Sequence, residues 1–167
     1  AGSDARSALD GALAEDAEAN LRQVGVVDAS GGSASWTGGD CTPWHGEVDG
    51  RDFAVQGNML TGGEVLSAMA GTFRETAGQP LEDRLMACLE AAQAAGGDKR
   101  GRQSAALVVF GAEAYAKLDV RVDEDPDPIP RLRRTFGIAK AQLLPFIAGM
   151  PKREGGSAFP PEVMDLL

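Results

Sequence analysis

Residues 62–95 hold two amphipathic stretches set end to end and divided at Gly78-Gln79-Pro80. Val65, Leu66, Met69, Ala70 and Phe73 recur on one face of the first, and Leu81, Leu85, Cys88, Leu89 and Ala92 on one face of the second. That spacing predicts helices over 62–78 and 80–95. Gly78 stops the first, Pro80 opens the second and Gly96-Gly97 ends it. Two adjacent helices of this kind pack as one layer, and the layer needs a sheet to cover its apolar side.

The rest of the chain supplies short strands in hairpin-like pairs. Val24 to Asp28 reads as an apolar strand, Gly31-Gly32 as a turn, and Ser33 to Thr37 as the returning strand. Val48 and Phe53-Ala54-Val55-Gln56 suggest a second pair around Asp49-Gly50, a turn dipeptide. Residues 105–110 and Leu118 to Val122 give a third pair. At the start, Ser3 is placed to cap a helix beginning at Asp4, with Ala5, Ala8, Leu9, Ala12 and Leu13 as its stripe. Asp127 and Pro128 read as cap and first position of a last helix that runs to about Gly149, with Pro145 kinking its end. Hairpin pairs favour an α+β fold with a mainly antiparallel sheet over a doubly wound one. The expected organisation is a single domain over 1–150 and an irregular tail over 151–167.

Composition narrows the function. A length of 167 residues with 43% apolar content suits one globular domain with a real core. A formal charge of −9 argues against nucleic-acid binding through phosphates and against an anionic membrane surface. No apolar run approaches bilayer-spanning length, and the first residues lack a signal-peptide pattern. Cys41 and Cys88 stand far apart and make no disulfide framework, so the cytoplasm is the expected compartment.

The densest group of hydrogen-bonding residues is Gly96-Gly97-Asp98-Lys99-Arg100-Gly101-Arg102-Gln103-Ser104, which reads as the mouth of a buried strand at 105–110. Loops held by a rigid scaffold are where binding groups tend to sit. Arg100 and Arg102 suit bidentate recognition of a planar anion, with Asp98, Gln103 and Ser104 beside them; the plainer reading is a turn with a solvated charge run, which fits Lys99. Gln56-Gly57-Asn58-Met59-Leu60 is the second focus: a strand ending in Gly57-Asn58 just before a helix can bring backbone N–H groups and an amide onto developing negative charge. The plainer reading is a turn in which Asn58 bonds its own backbone.

Other chemistries fit less well. The phosphate-loop spacing is absent. Cys41 and His45 are near neighbours, but no third group orients them for thiol catalysis. One histidine and two scattered cysteines do not supply zinc ligands. Asp123, Asp125 and Asp127 alternate like the start of a calcium loop, yet Pro128 stands where glycine is needed and Arg134 where the bidentate glutamate belongs. No metal and no cofactor is expected.

Taken in order, Arg22 to Asp28, Thr37-Gly38 with Cys41, Gln56 to Leu60, Gly96 to Ser104 and Arg121-Val122-Asp123 resemble a bacterial and archaeal family of unassigned function in the N-terminal-nucleophile (Ntn) hydrolase-like superfamily. The resemblance covers roughly residues 5–135. It implies an αββα four-layer sandwich with two antiparallel sheets between helix layers, here lacking its N-terminal strands. It also implies cleavage of an amide bond by a first-residue Thr, Ser or Cys whose own α-amine is the base. That pairing makes chemical sense, because an α-amine has a pKa of about 8. Ala1 offers no such nucleophile, so the expectation is that a preceding segment supplies it.

On that resemblance the expected function is hydrolysis of an amide C–N bond in a small carboxylate-bearing substrate. Asn58 with Gly57 would hold the oxyanion, Asp98 would orient the site, and Arg100, Arg102, Gln103 and Ser104 would bind substrate. The alternative is a ligand-binding protein that keeps the pocket without the nucleophile. The expected partners are a small molecule and an N-terminal companion segment, with no nucleic acid and no membrane; self-association is open.

Overall fold

The computed structural model describes residues 2–155, 158–159 and 161–164. Ala1 lies outside the described residues, as does part of the 151–167 tail. The chain divides into two compact units, Ala1–Gly78 with Ala87–Gly101 and Gln79–Met86 with Arg102–Leu167. Among the described residues the strands form three two-stranded antiparallel sheets, so the fold is mixed α and β with small antiparallel sheets.

In the first unit, helix α1 spans Ala5–Ala14. Its cap is Asp4 rather than the expected Ser3, because the Asp4 carboxylate reaches the Ser7 amide at 2.8 Å, three residues on. The stripe of α1 closes on the first hairpin, β1 (Gln23–Val27) and β2 (Ser33–Thr37). Ala5, Leu9 and Ala34 are buried together, with Leu13, Val24, Val26 and Trp36 packed around them. Asp28 ties the hairpin turn to the helix start. Its Oδ1 accepts the amides of Ser30 at 2.8 Å and Gly32 at 3.0 Å, and its Oδ2 accepts the Ala5 amide at 3.0 Å.

Side chains alternate along a strand, so Val24, Val26, Ala34 and Trp36 meet α1 while Gln23, Gly25, Ser33, Ser35 and Thr37 take the other face. There the second hairpin lies against them: β3 (Gly46–Gly50) and β4 (Phe53–Gly57). Ser35 donates to Asp49 through its amide at 2.9 Å and its hydroxyl at 2.5 Å, and the Ser33 hydroxyl donates to the Gly50 carbonyl at 2.8 Å. A Cβ on Gly25 would stand 2.4 Å from Gln56 Oε1, so the Gln56 side chain lies over the space that glycine leaves open. The turn of the second hairpin is Arg51-Asp52, two residues beyond the expected Asp49-Gly50. Asp52 takes a φ of 68°, which aspartate tolerates better than most side chains, and its amide donates to the Gly31 carbonyl at 2.9 Å.

Helix α2 (Glu64–Glu75) covers β3 and β4. Val65, Leu66, Ala70 and Phe73 are buried, and the Phe73 and Phe53 rings lie 5.1 Å apart. Helix α3 (Leu81–Ala94) follows. In its second half the Cys88 thiol donates to the Met69 carbonyl at 3.4 Å, so Cys88 serves packing, as its place on the stripe predicts.

In the second unit, β5 (Ala105–Phe110) and β6 (Ala116–Val122) pair, and α4 (Pro128–Ile138) packs on them. Leu107, Val109, Leu118, Val120, Leu132 and Phe136 are buried. The strand at 105–110 is not buried on both faces, contrary to expectation: Val108 is 43% exposed and Phe110 64%. Glu82, nearly fully buried, takes the Lys117 ammonium at 2.9 and 3.1 Å. Burial pushes the Glu82 carboxyl up, but the Lys117 hydrogen bond and charge outweigh it and its pKa is lowered.

The last helix breaks before Pro145. Ala139–Leu143 widen into a π-type coil and α5 (Leu144–Gly149) resumes the helix. Pro145 has no N–H for the carbonyl of Ala141, which removes one regular bond at this point. In the tail, Pro161–Met164 form a short helix, α6, with Val163 buried. No helix among the described residues is long and apolar enough to cross a membrane.

Candidate functional site

The candidate corner belongs to the first unit and is built where β4 ends. Gly57 closes β4, and residues 58–63 separate it from α2. Asn58 therefore does not stand at a helix N-terminus, contrary to expectation, and the helix dipole does not act on it. What organises this corner is backbone lacing between three loops. The Met59 amide donates to the Thr42 carbonyl at 3.1 Å and the Leu60 amide to the Trp44 carbonyl at 3.0 Å. From the other side, the Thr61 amide donates to the Gly97 carbonyl at 3.0 Å and the Lys99 amide to the Met59 carbonyl at 2.8 Å. Leu60 and Asp98 form a single antiparallel bridge, and the Lys99 ammonium donates to the Pro43 carbonyl. Gly96 makes the approach possible: its φ is 121°, and a Cβ there would stand 2.2 Å from Thr61 Oγ1. The loops at 57–58 and 98–100, read separately from sequence, thus come together.

Asp98 and Arg100 close on each other. The Asp98 carboxylate accepts the Arg100 amide at 2.8 Å, its Nε at 3.0 and 3.2 Å, and its Nη2 at 2.6 Å. The Arg100 side chain bond is the main reason the Asp98 carboxyl sits below its usual pKa, and Asp98 in turn raises that of Arg100. Arg100 remains 66% exposed at its side chain. A guanidinium has five N–H donors, so it is oriented by Asp98 and still offers donors to an incoming anion.

Asn58 is held by a residue that the sequence reasoning left without a role. Gln23 Oε1 accepts from Asn58 Nδ2 at 3.0 Å. Gln23 Nε2 donates to the Gly57 carbonyl at 2.9 Å, the Gly46 carbonyl at 3.3 Å and the Thr37 hydroxyl at 3.0 Å. One amide thus joins β1, β2, β3, the end of β4 and the candidate donor. The signal was the strand parity: Val24 and Val26 face α1, which puts Gln23 on the opposite face, where a polar side chain needs partners.

The remaining candidates lie in the second unit. Arg102 pairs with Asp127, the Gln103 carbonyl accepts the Asp125 amide at 2.9 Å, and Ser104 immediately precedes β5. Asp127 sits at the cap position of α4 without a side-chain cap bond, its carboxylate being engaged by Arg102. Cys41 is buried, and its thiol donates to the Arg22 carbonyl at 3.4 Å.

Comparison with known proteins places these positions in a family context. A family model described as a family of unknown function (DUF1028) matches residues 1–132. The crystal structure of protein SPO2555 from Silicibacter pomeroyi, assigned to the same family model, is similar to this chain at 30% identity with a TM-score of 0.73. The match covers 83% of this chain and 61% of that one, so the chain spans about 61% of the length of that relative. None of the curated proteins compared matches the chain.

Proposed function

The chain belongs to the DUF1028 family of unknown function, and from that premise we propose that it forms part of an Ntn-type amide hydrolase acting on a small carboxylate-bearing substrate. The observation that carries the reading is the laced corner: Asn58, the end of β4 and the Asp98–Arg100 pair stand on loops bonded directly to one another. The order of packing in the first unit also supports it. Helix α1 lies on the first hairpin, the first hairpin on the second, and α2 on the second, which is the succession that an αββα sandwich requires.

In this reading a hydroxyl or thiol from a segment outside these 167 residues attacks the substrate carbonyl, and the α-amine of that residue takes its proton. Asn58 Nδ2 has two N–H donors. Gln23 engages one, and the second stabilises the developing oxyanion. Arg100, held by Asp98, receives the substrate carboxylate. The tetrahedral intermediate then expels its amine, and water clears the acyl group that remains.

The test is release of amine or ammonia from a panel of small carboxylate-bearing amides, measured on the full gene product. Asn58→Ala should lower kcat by roughly 10²–10³-fold. Arg100→Ala should raise KM chiefly. Full turnover in Asn58→Ala rejects the assignment. A second reading, a ligand-binding protein on the same fold, is favoured by the Gln23 and Asp98–Arg100 networks being complete within this chain. Arg100-dependent binding of the same amides without turnover would select it.

A further inference from the structure

A recess lies wholly within the second unit and is lined by none of the candidate site residues named above. It has a volume of about 310 Å³, and its walls include Tyr115, Lys117, Leu144, Ile147, Ala148 and Lys152, together with residues 111–112. The loop between β5 and β6 supplies one side and α5 with the chain that follows it supplies the other. Leu144, Ile147, Ala148 and the Tyr115 ring make the lining mainly apolar, the usual character of a small-molecule site that is oriented by a few polar groups.

Its charges are unequally compensated. The Lys117 ammonium is neutralised by both oxygens of Glu82. The Lys152 ammonium is held differently: it donates to Tyr115 Oη at 3.0 Å and to the Ile147 carbonyl at 3.0 Å, and lies 5.5 Å from the Tyr115 ring centroid. Among the described residues no carboxylate lies within ion-pair distance of it. The Tyr115 hydroxyl donates onward to the Pro151 carbonyl at 3.1 Å, which fixes the ring. An ammonium has three donors, so Lys152 keeps one N–H and its full charge. Glu113 also lines the recess, with one oxygen on the Arg153 amide at 3.0 Å.

We propose that this recess binds a small amphipathic carboxylate, its alkyl body against Leu144, Ile147 and Ala148 and its carboxylate on Lys152. An uncompensated cation fixed at the wall of an apolar pocket selects an anion with an apolar tail, since a neutral ligand of the same shape forgoes the charge-assisted bond. Glu113 opposes the anion and sets how tightly it is held.

Octanoate, octanol, octylamine and leucine serve as probes in calorimetric titration of the full chain, with unfolding curves recorded for every variant. Octanoate should bind at least about tenfold more tightly than octanol and octylamine, consistent with one charge-assisted bond. Lys152→Met should erase that preference while leaving octanol unchanged. Glu113→Gln should strengthen octanoate several-fold, and Ala148→Trp, which fills the recess, should abolish binding of octanoate. Equal affinity for octanoate and octanol, stronger binding of leucine than of octanoate, or an unchanged octanoate affinity in folded Lys152→Met or Ala148→Trp would each overturn the proposal.

Discussion

Gln23 and Asn58, 35 positions apart, share one amide-to-amide hydrogen bond of 3.0 Å, and Gln23 passes the connection on to the backbone of Gly57 at 2.9 Å. The side chain that steadies the candidate oxyanion donor also bonds both hairpins. Stability and site geometry are therefore coupled through a single residue.

Gln23→Ala should expose that coupling. It leaves the Gly57 carbonyl and the Asn58 amide without their partner, at a cost of about 1–3 kcal/mol. Urea unfolding measures the loss. Gln23→Glu should cost a similar amount at neutral pH, because a carboxylate cannot donate to Gly46, Gly57 or Thr37, and should recover part of it as the carboxyl protonates in acid.

Asp28 makes the first unit acid-sensitive. Hydrogen bonds hold its carboxyl down to about 2, first from the Ala5 amide and then from Ser30 and Gly32. A lowered folded pKa gives stability that is fully present above the ordinary value of about 3.9 and is lost as pH falls toward the folded value. The unfolding midpoint should drop between about pH 4 and pH 2, and Asp28→Asn should flatten that part of the profile. An unaltered slope in Asp28→Asn would remove this residue from the account.

Leu9 is fully buried against the first hairpin. Leu9→Ala should cost about 2–5 kcal/mol, with Leu9→Met well under half of that. Denaturant titration of both variants gives the comparison.

Lys117→Met should leave the buried Glu82 carboxylate without its ammonium. The expected destabilisation is about 1–3 kcal/mol near pH 7. Lys117 is 46% exposed, so solvent screens part of the pair and keeps the loss below that of a fully enclosed one. The double variant Lys117→Met with Glu82→Leu should recover much of the loss, which a thermal unfolding series reads directly.

The elements were largely legible in the sequence. The three hairpins and the helices over 5–14, 64–75 and 81–94 lie close to where periodicity predicts, because the apolar residues at 65–73, 24–26 and 118–120 repeat with the period of the element they build. What failed was local choice between competing groups. Asp4 displaced Ser3 as a cap because both are good caps and only the three-dimensional reach to Ser7 decides between them. Asp49-Gly50 reads as a turn, yet Asp49 is drawn into β3, where its carboxylate meets Ser35. The site was legible as two polar loops and not as a network. Gln23 sits in a strand otherwise defined by valines, and its four partners come from residues 14 to 35 positions away, beyond the reach of any local pattern. The nine-residue run 96–104 reads as one loop, but its first six residues bond within the first unit and its last three belong to the second.

The widened coil at Ala139–Leu143 takes up one residue of helical phase ahead of all that follows it. A π-type turn amounts to one surplus residue in a regular helix, and each residue turns an α-helix by about 100°. Removing one residue there would let the coil close to a regular helix and leave Leu144, Ile147 and Ala148 near their present azimuth, whereas the same deletion within α4 or α5 would turn the residues beyond it by about 100°. The surface that α5 offers to the loop at 111–115 is thus buffered against a change of one residue in helix length at this point.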